Sequence, residues 1–195
     1  MTKALQFLLI WVIGITAVSA QVRPLSESER RTVTQKSSLI VVAVTGAEMH
    51  LLVDRSKRKS AERSVPDVAE LSDSVVGRLI NARSTEVLKA GDSRKKGEIV
   101  RILLPGWMDP EDTGNLLGPS ESVILLLSRV DPSDHRFKDV EVHSLSSTPL
   151  KVLPFDPSNS YEFAGETGCV LSPTSAMLAM VRKEIHATKN RARKQ

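Results

Sequence analysis

Two short stretches carry most of the side chains that could do chemistry. The first, Asp131-Pro-Ser-Asp134-His135, places two carboxylates and an imidazole within five residues. Oxygen and nitrogen donors of these types, joined by a distant ligand, could hold a divalent metal for a metal-dependent hydrolase. The same five residues also write an ordinary turn, in which an aspartate caps its own backbone, and the local pattern favours the turn. The second stretch runs from Trp107 to Asp112 and joins Trp107 to Asp109, Glu111 and Asp112. A tryptophan supplies large contact area at interface centres, so the loop is a candidate binding surface. Alternatively, Trp107 folds back over the core and leaves its acids in water. Nothing spaces Asp109 and Glu111 as the carboxylate pair of a glycosidase. The chain also holds one Tyr and two Trp in all, which leaves little for stacking sugars.

Cys169 is the single cysteine, and His50, His135, His143 and His186 are scattered away from it. A nucleophilic cysteine needs a histidine and an electropositive setting, so a small buried apolar role is expected. No serine-nucleophile elbow, zinc-protease helix, phosphate loop or dinucleotide fingerprint occurs in the sequence. A non-enzymatic protein is therefore the stronger expectation, and no cofactor is expected.

The elements that must position these residues read mainly as strands. "SSLIVVAVT" is a short β-branched run, expected to be a buried strand closed by Gly46. Residues 54 to 64 form a charge cluster, read as a solvated loop. Ser64, Pro66 and Asp67 then write a helix start, followed by Val65, Val68, Ala69 and Leu71 at helical spacing. Residues 73 to 82 fit either a continuation of that helix or a strand with glycine at a bend, and the strand is favoured. In "EIVRILL", Ile99, Arg101 and Leu103 share one face while Val100, Ile102 and Leu104 share the other. Pro105 and Gly106 end that strand. Val123 to Leu127, residues 139 to 145, residues 150 to 155 and two pieces around Gly165 and Gly168 supply further strands. In 139 to 145, Val140, Val142 and Ser144 alternate with Glu141, His143 and Leu145, as in a half-exposed strand. Ser172 and Pro173 open a last helix, with Met177, Val181 and Ile185 along one stripe. Short strands with glycine and proline punctuation predict a mainly β fold, a small antiparallel OB-like barrel or sandwich. A short internal helix and a C-terminal helix would complete it.

The ends differ from the body. Residues 1 to 20 hold one charge, Lys3, then an apolar run and small residues at the "VSA" boundary. That is the pattern of a secretory signal peptide cleaved after Ala20, with a retained anchor as the alternative. Residues 21 to 36 read as a polar leader, 37 to 188 as one β-rich domain, and 189 to 195 as a disordered basic tail. The net charge of +4 is a property of that end. Residues 182 to 195 carry six bases against one acid, and without them and Lys3 the body holds 20 bases and 22 acids. Arg191, Arg193 and Lys194 are thus the expected contact to an anionic surface, if the tail is more than a solvated end. The tail lacks the aromatic residues that single-stranded nucleic acid would stack on.

Four segments together carry a family likeness: "LSDSVVGRLINARSTEVLKAG", "GEIVRILLPG", "LGPSESVILLLSR" and "YEFAGETGCVLS". They resemble the turn and strand pattern of a group of secreted bacterial proteins of mostly unassigned function. Those proteins look like small OB-type barrels related to the netrin-like and tissue-inhibitor-of-metalloproteinase folds. The likeness spans residues 70 to 172 and rests on turn glycines and strand patterns, so it implies a fold more than an activity. Ser120 stands where the family places a turn glycine, and the late motif reads "FAGETGCV". The metalloproteinase inhibitors chelate zinc through an N-terminal cysteine, whereas the expected mature end here is Gln21, so the likeness does not bring that inhibition with it. The resulting expectation is a secreted or periplasmic envelope protein that binds a protein or envelope component through barrel-rim loops. A metal-dependent hydrolase on Asp131, Asp134 and His135, and a surface protein tethered by its tail, are the alternatives.

Overall fold

A computed structural model describes residues 26–57, 74–91, 93–105, 121–144, 151–165 and 169–192. In chain order the elements are α1 (Glu27–Lys36), β1 (Leu39–Asp54), β2 (Val75–Ala90), β3 (Ile99–Pro105), β4 (Ser122–Arg129), β5 (Val140–Ser144), β6 (Lys151–Pro154), β7 (Ser160–Phe163), β8 (Val170–Leu171) and α2 (Ser175–Ala192). Among the described residues the fold is mainly β, with a closed five-stranded barrel, extra strands and two helices. The barrel closes through β1–β2, β2–β3, β3–β7, β7–β4 and β4–β1, with only β3–β7 parallel. This is the strand circuit of a five-stranded Greek-key barrel of the OB type.

Alternation produces the barrel core. Leu39, Val41 and Ala43 of β1 meet Ile80 and Ala82 of β2, Val100, Ile102 and Leu104 of β3, and Val123, Leu125 and Leu127 of β4, with Tyr161 at one end. The other face of β1 and β4 is apolar too, because helices cover it. Ile40, Val42, Ile124 and Leu126 pack against Val33 of α1 and Val181 and Ile185 of α2. Strands buried on both faces read as continuous apolar runs, as "LIVVA" and "VILLL" do.

Gly46 does not end β1. The register slips between Thr45 and Met49, and β1 continues to Asp54, pairing with β5 beyond the slip. A Cβ on Gly46 would lie 3.1 Å from the Asn81 carbonyl oxygen, so the glycine serves a close backbone approach at a bulge. Gly77 is tighter still, since its Cβ would meet the Leu104 carbonyl oxygen at 2.8 Å. The extended part of β1, with β5 and β6, covers a third core of Leu52, Leu79, Leu103, Val130 and Val142, on which Phe137 and Phe155 pack.

Four further expectations meet the described residues. The strand reading of residues 75 to 82 holds, as the start of β2. The polar leader is wrong for residues 27–36, which form α1. Its capping box joins Ser26 and Glu29, and only Val33 and Thr34 are buried, so no apolar stripe announced it. The tail does not fray at residue 189, because α2 runs to Ala192. His143 does not face water: it is fully buried between β1 and β6, opposite Leu51 and Val152. The helix start at residues 64 to 71 and the signal segment lie outside the described residues. Among the described residues no helix is long and apolar enough to cross a membrane.

Candidate functional site

The Asp131–His135 stretch is built as a turn. Val130 is buried and fixes its start, and Asp131 Oδ1 accepts hydrogen bonds from the Ser133 amide at 2.8 Å and hydroxyl at 2.7 Å. Asp134 caps the 3₁₀ turn His135–Phe137, accepting from the Arg136 amide at 2.9 Å. Its other oxygen accepts from the Arg136 guanidinium at 2.6 and 2.7 Å. These bonds favour the charged forms: the Ser133 donors hold Asp131, and the Arg136 donors hold Asp134, below the ordinary carboxylate range. His135 Nδ1 lies 3.7 Å from Asp134, and its side chain is 96% exposed. The three side chains therefore share a turn without converging on a common point. Among the described residues no group of three His, Cys, Asp or Glu side chains is placed to hold a metal ion.

The same device recurs twice. Asp54 Oδ1 accepts from the Ser56 amide and hydroxyl, and Asp156 Oδ1 from those of Ser158. Asp-x-Ser is thus this chain's own turn signature, at residues 54, 131 and 156.

Trp107, Asp109, Glu111 and Asp112 lie outside the described residues, between the end of β3 at Pro105 and the start of β4 at Ser122. Cys169 is buried, with Sγ 3.4 Å from the Gly165 carbonyl oxygen, and burial pushes its thiol up, away from the reactive thiolate. Of the tail cations, Arg191 is described and exposed on α2, while Arg193 and Lys194 lie outside the described residues.

The outer wall of β2 and β3 escaped sequence reasoning. The register opposes Arg83 to Ile99, Asn81 to Arg101 and Leu79 to Leu103. Val100 and Ile102 fill the barrel, so Ile99 and Arg101 point outward, and Ile99 is 44% exposed. Arg83 and Arg101 are exposed beside it. Arg94 leans over from the β2–β3 connection, donating to the Tyr161 hydroxyl at 3.1 Å and the Ile99 carbonyl at 3.0 Å. Further along, the Asn81 side-chain nitrogen sits 3.4 Å from His50 Nε2, while buried His50 Nδ1 and Asn81 Oδ1 have no hydrogen-bond partner. The alternation in "IVRILL" signalled one outward face. Its pairing with "LINAR" needed the register.

Compared with family models, curated proteins and solved structures, the chain matches none.

Proposed function

We propose that this chain is a non-enzymatic binding module, exported to the envelope or secreted, that engages a protein or envelope component. The observation that supports it is the contrast between the two outer walls. The β1–β4 wall lies under two helices, while the β2–β3 wall leaves Ile99 exposed between Arg83 and Arg101. OB-type barrels bind ligands on the wall of their second and third strands and on adjoining loops. The loop bearing Trp107, Asp109, Glu111 and Asp112 leaves the end of that same β3 strand. An exposed apolar side chain flanked by arginines is also the composition of an interface centre. The resemblance to secreted barrels and the apolar segment ahead of Gln21 support export.

The test is a photo-crosslinking amino acid placed at Ile99, at Trp107 or at Lys183 on α2, with irradiation in the producing cell. The reading expects one discrete product from the first two positions and none from the third. Equal products from all three, or none from Ile99 and Trp107, would remove it. Export is checked separately by mass, with a mature chain beginning at Gln21 expected in the envelope or medium.

A further inference from the structure

Away from that wall, α1 and α2 meet along a cleft lined by Arg31 and Gln35 of α1 and by Glu184, Ala187, Thr188 and Arg191 of α2. The cleft holds about 70 Å³. That exceeds the space one water needs and falls far short of a pocket for a nucleotide or drug-sized ligand. Its floor is already settled. Glu184 accepts from Arg30 Nε at 2.8 Å and from the Thr34 hydroxyl at 3.2 Å, so its charge is neutralised where it is buried. Thr188 turns its hydroxyl back to the Glu184 carbonyl.

The rest of the layer is rich in cations. Each described carboxylate of α1, α2 and the neighbouring β2 edge is engaged: Glu27 by Arg31, Glu29 by the Ser26 amide, Glu184 by Arg30, and Glu86 by Arg182. Lys36, Lys89, Lys183, Lys189 and Arg191 have no carboxylate among these four. Lys89 donates to the Thr34 and Gln35 carbonyls at 2.8 and 3.3 Å, which brings a cation to the end of α1 beside Gln35. Burial first, and then the charge of Lys189, lower its affinity for a proton.

We propose that the α1–α2 cleft binds a single phosphate-class oxyanion, held by the Arg191 guanidinium and the Gln35 amide, with Arg31 adding the donors that its pair with Glu27 leaves over. Guanidinium groups suit tetrahedral oxyanions because their donors are planar and forked. Lys89 and Lys189 supply long-range attraction at the same end of the helix pair. The group can come from free phosphate or from an anionic phospholipid headgroup, and the site is independent of the β2–β3 wall.

The test uses the protein as purified from its producing cell, with two probes. Inorganic phosphate is titrated while the amide resonances of Arg31, Gln35, Thr188 and Arg191 are followed. Binding is then measured to phosphatidylcholine vesicles with and without phosphatidylglycerol. The variants are Arg191→Gln, and Arg182→Gln as a control that removes the same charge where it pairs with Glu86. Both are exposed, so both should fold. Saturable shifts clustered at the cleft, weakened about tenfold by Arg191→Gln and unchanged by Arg182→Gln, are expected, the loss of one charge-assisted hydrogen bond. Phosphatidylglycerol-dependent vesicle binding with that same variant pattern identifies a lipid headgroup as source; a phosphate response without it identifies the free ion. Equal losses from the two variants in both arms would reduce the effect to diffuse charge and overturn the site. So would the absence of both saturable phosphate shifts and phosphatidylglycerol-dependent binding.

Discussion

Two of the regions that bury polar side chains treat them in opposite ways. In the helical layer Glu184 is 7% exposed, and its carboxylate is held by Arg30 and Thr34. In the extension formed by late β1 and β5, His143 is fully buried, and neither ring nitrogen has a hydrogen-bond partner. Its nearest carboxylate, Glu141, lies 3.4 Å from Nε2 but out of hydrogen-bonding geometry, and Arg55 holds that carboxylate at 2.9 Å. A buried polar group stabilises only when it is paired, and otherwise its desolvation remains as a cost. The difference teaches that the two helices are locked to each other by a specific polar contact, whereas the extension is held by apolar packing despite its histidine.

The strongest break in that comparison is Glu184→Ala. It strands the partly buried Arg30 guanidinium and the Thr34 hydroxyl together, and breaking such a pair from one side costs about 3 kcal/mol. Denaturant unfolding should show the loss as a lower midpoint with an unchanged slope. Glu184→Gln keeps the volume and one acceptor, so it should cost less. If alanine and glutamine are equally mild, the Arg30 contact does not lock the layer. Ile185→Ala probes the apolar half of the same layer. Ile185 is 4% exposed against Val33, Ile124 and Leu126, and its truncation should cost about 2 kcal/mol or more in the same assay.

How far these contrasts could be read beforehand depends on whether their causes are local. The β3 faces were legible because Ile99, Arg101 and Leu103 alternate with Val100, Ile102 and Leu104 within one strand. The turn at residue 131 was likewise written by Asp, Pro and Ser side by side, and the same triplet at residue 156, which went unread, makes the same turn. Gly46 misled because glycine and strand end usually coincide, whereas here it permits a bulge against Asn81 on another strand. Helix α1 offered only a capping box, since two buried residues make no stripe. The Arg30–Glu184 pair joins residues 154 positions apart, and the burial of His143 follows from the place of β5 between β1 and β6. No local pattern encodes either. The loop from Trp107 to Asp112 was legible as composition, but its chemistry depends on where the chain lays it.

His143→Leu tests the other side of the comparison. Removing two unpaired nitrogens while keeping an apolar side chain of similar bulk should leave stability within about 1 kcal/mol, neutral or improved. A loss above about 2 kcal/mol would mean that the ring makes a bond the apolar reading lacks, such as to a buried water. The two buried regions would then be built alike.

The smallest effect belongs to Asp134, where pairing occurs at a partly exposed turn. Its bonds to Arg136 depress the folded-state carboxyl below its ordinary value. The sign follows from linkage: a depressed carboxyl adds stability above the unfolded pKa of about 3.9, and that stability is lost as pH falls through the folded value. Asp134→Asn keeps an oxygen to cap the Arg136 amide but removes the charge. Its melting temperature should therefore lie slightly below the parent's near neutral pH, with the gap closing as the solution is acidified below about pH 4. Solvent screening at the turn keeps that gap small. The same variant bears on the metal reading, because the turn loses only this pH-dependent increment, whereas a metal site would lose a ligand. Stoichiometric zinc or calcium in the parent, absent from Asp134→Asn and from His135→Ala, would show that the turn gathers a metal after all. A profile that differs only in the acid limb leaves Asp134 as the cap of a 3₁₀ turn, paired with the arginine two residues on.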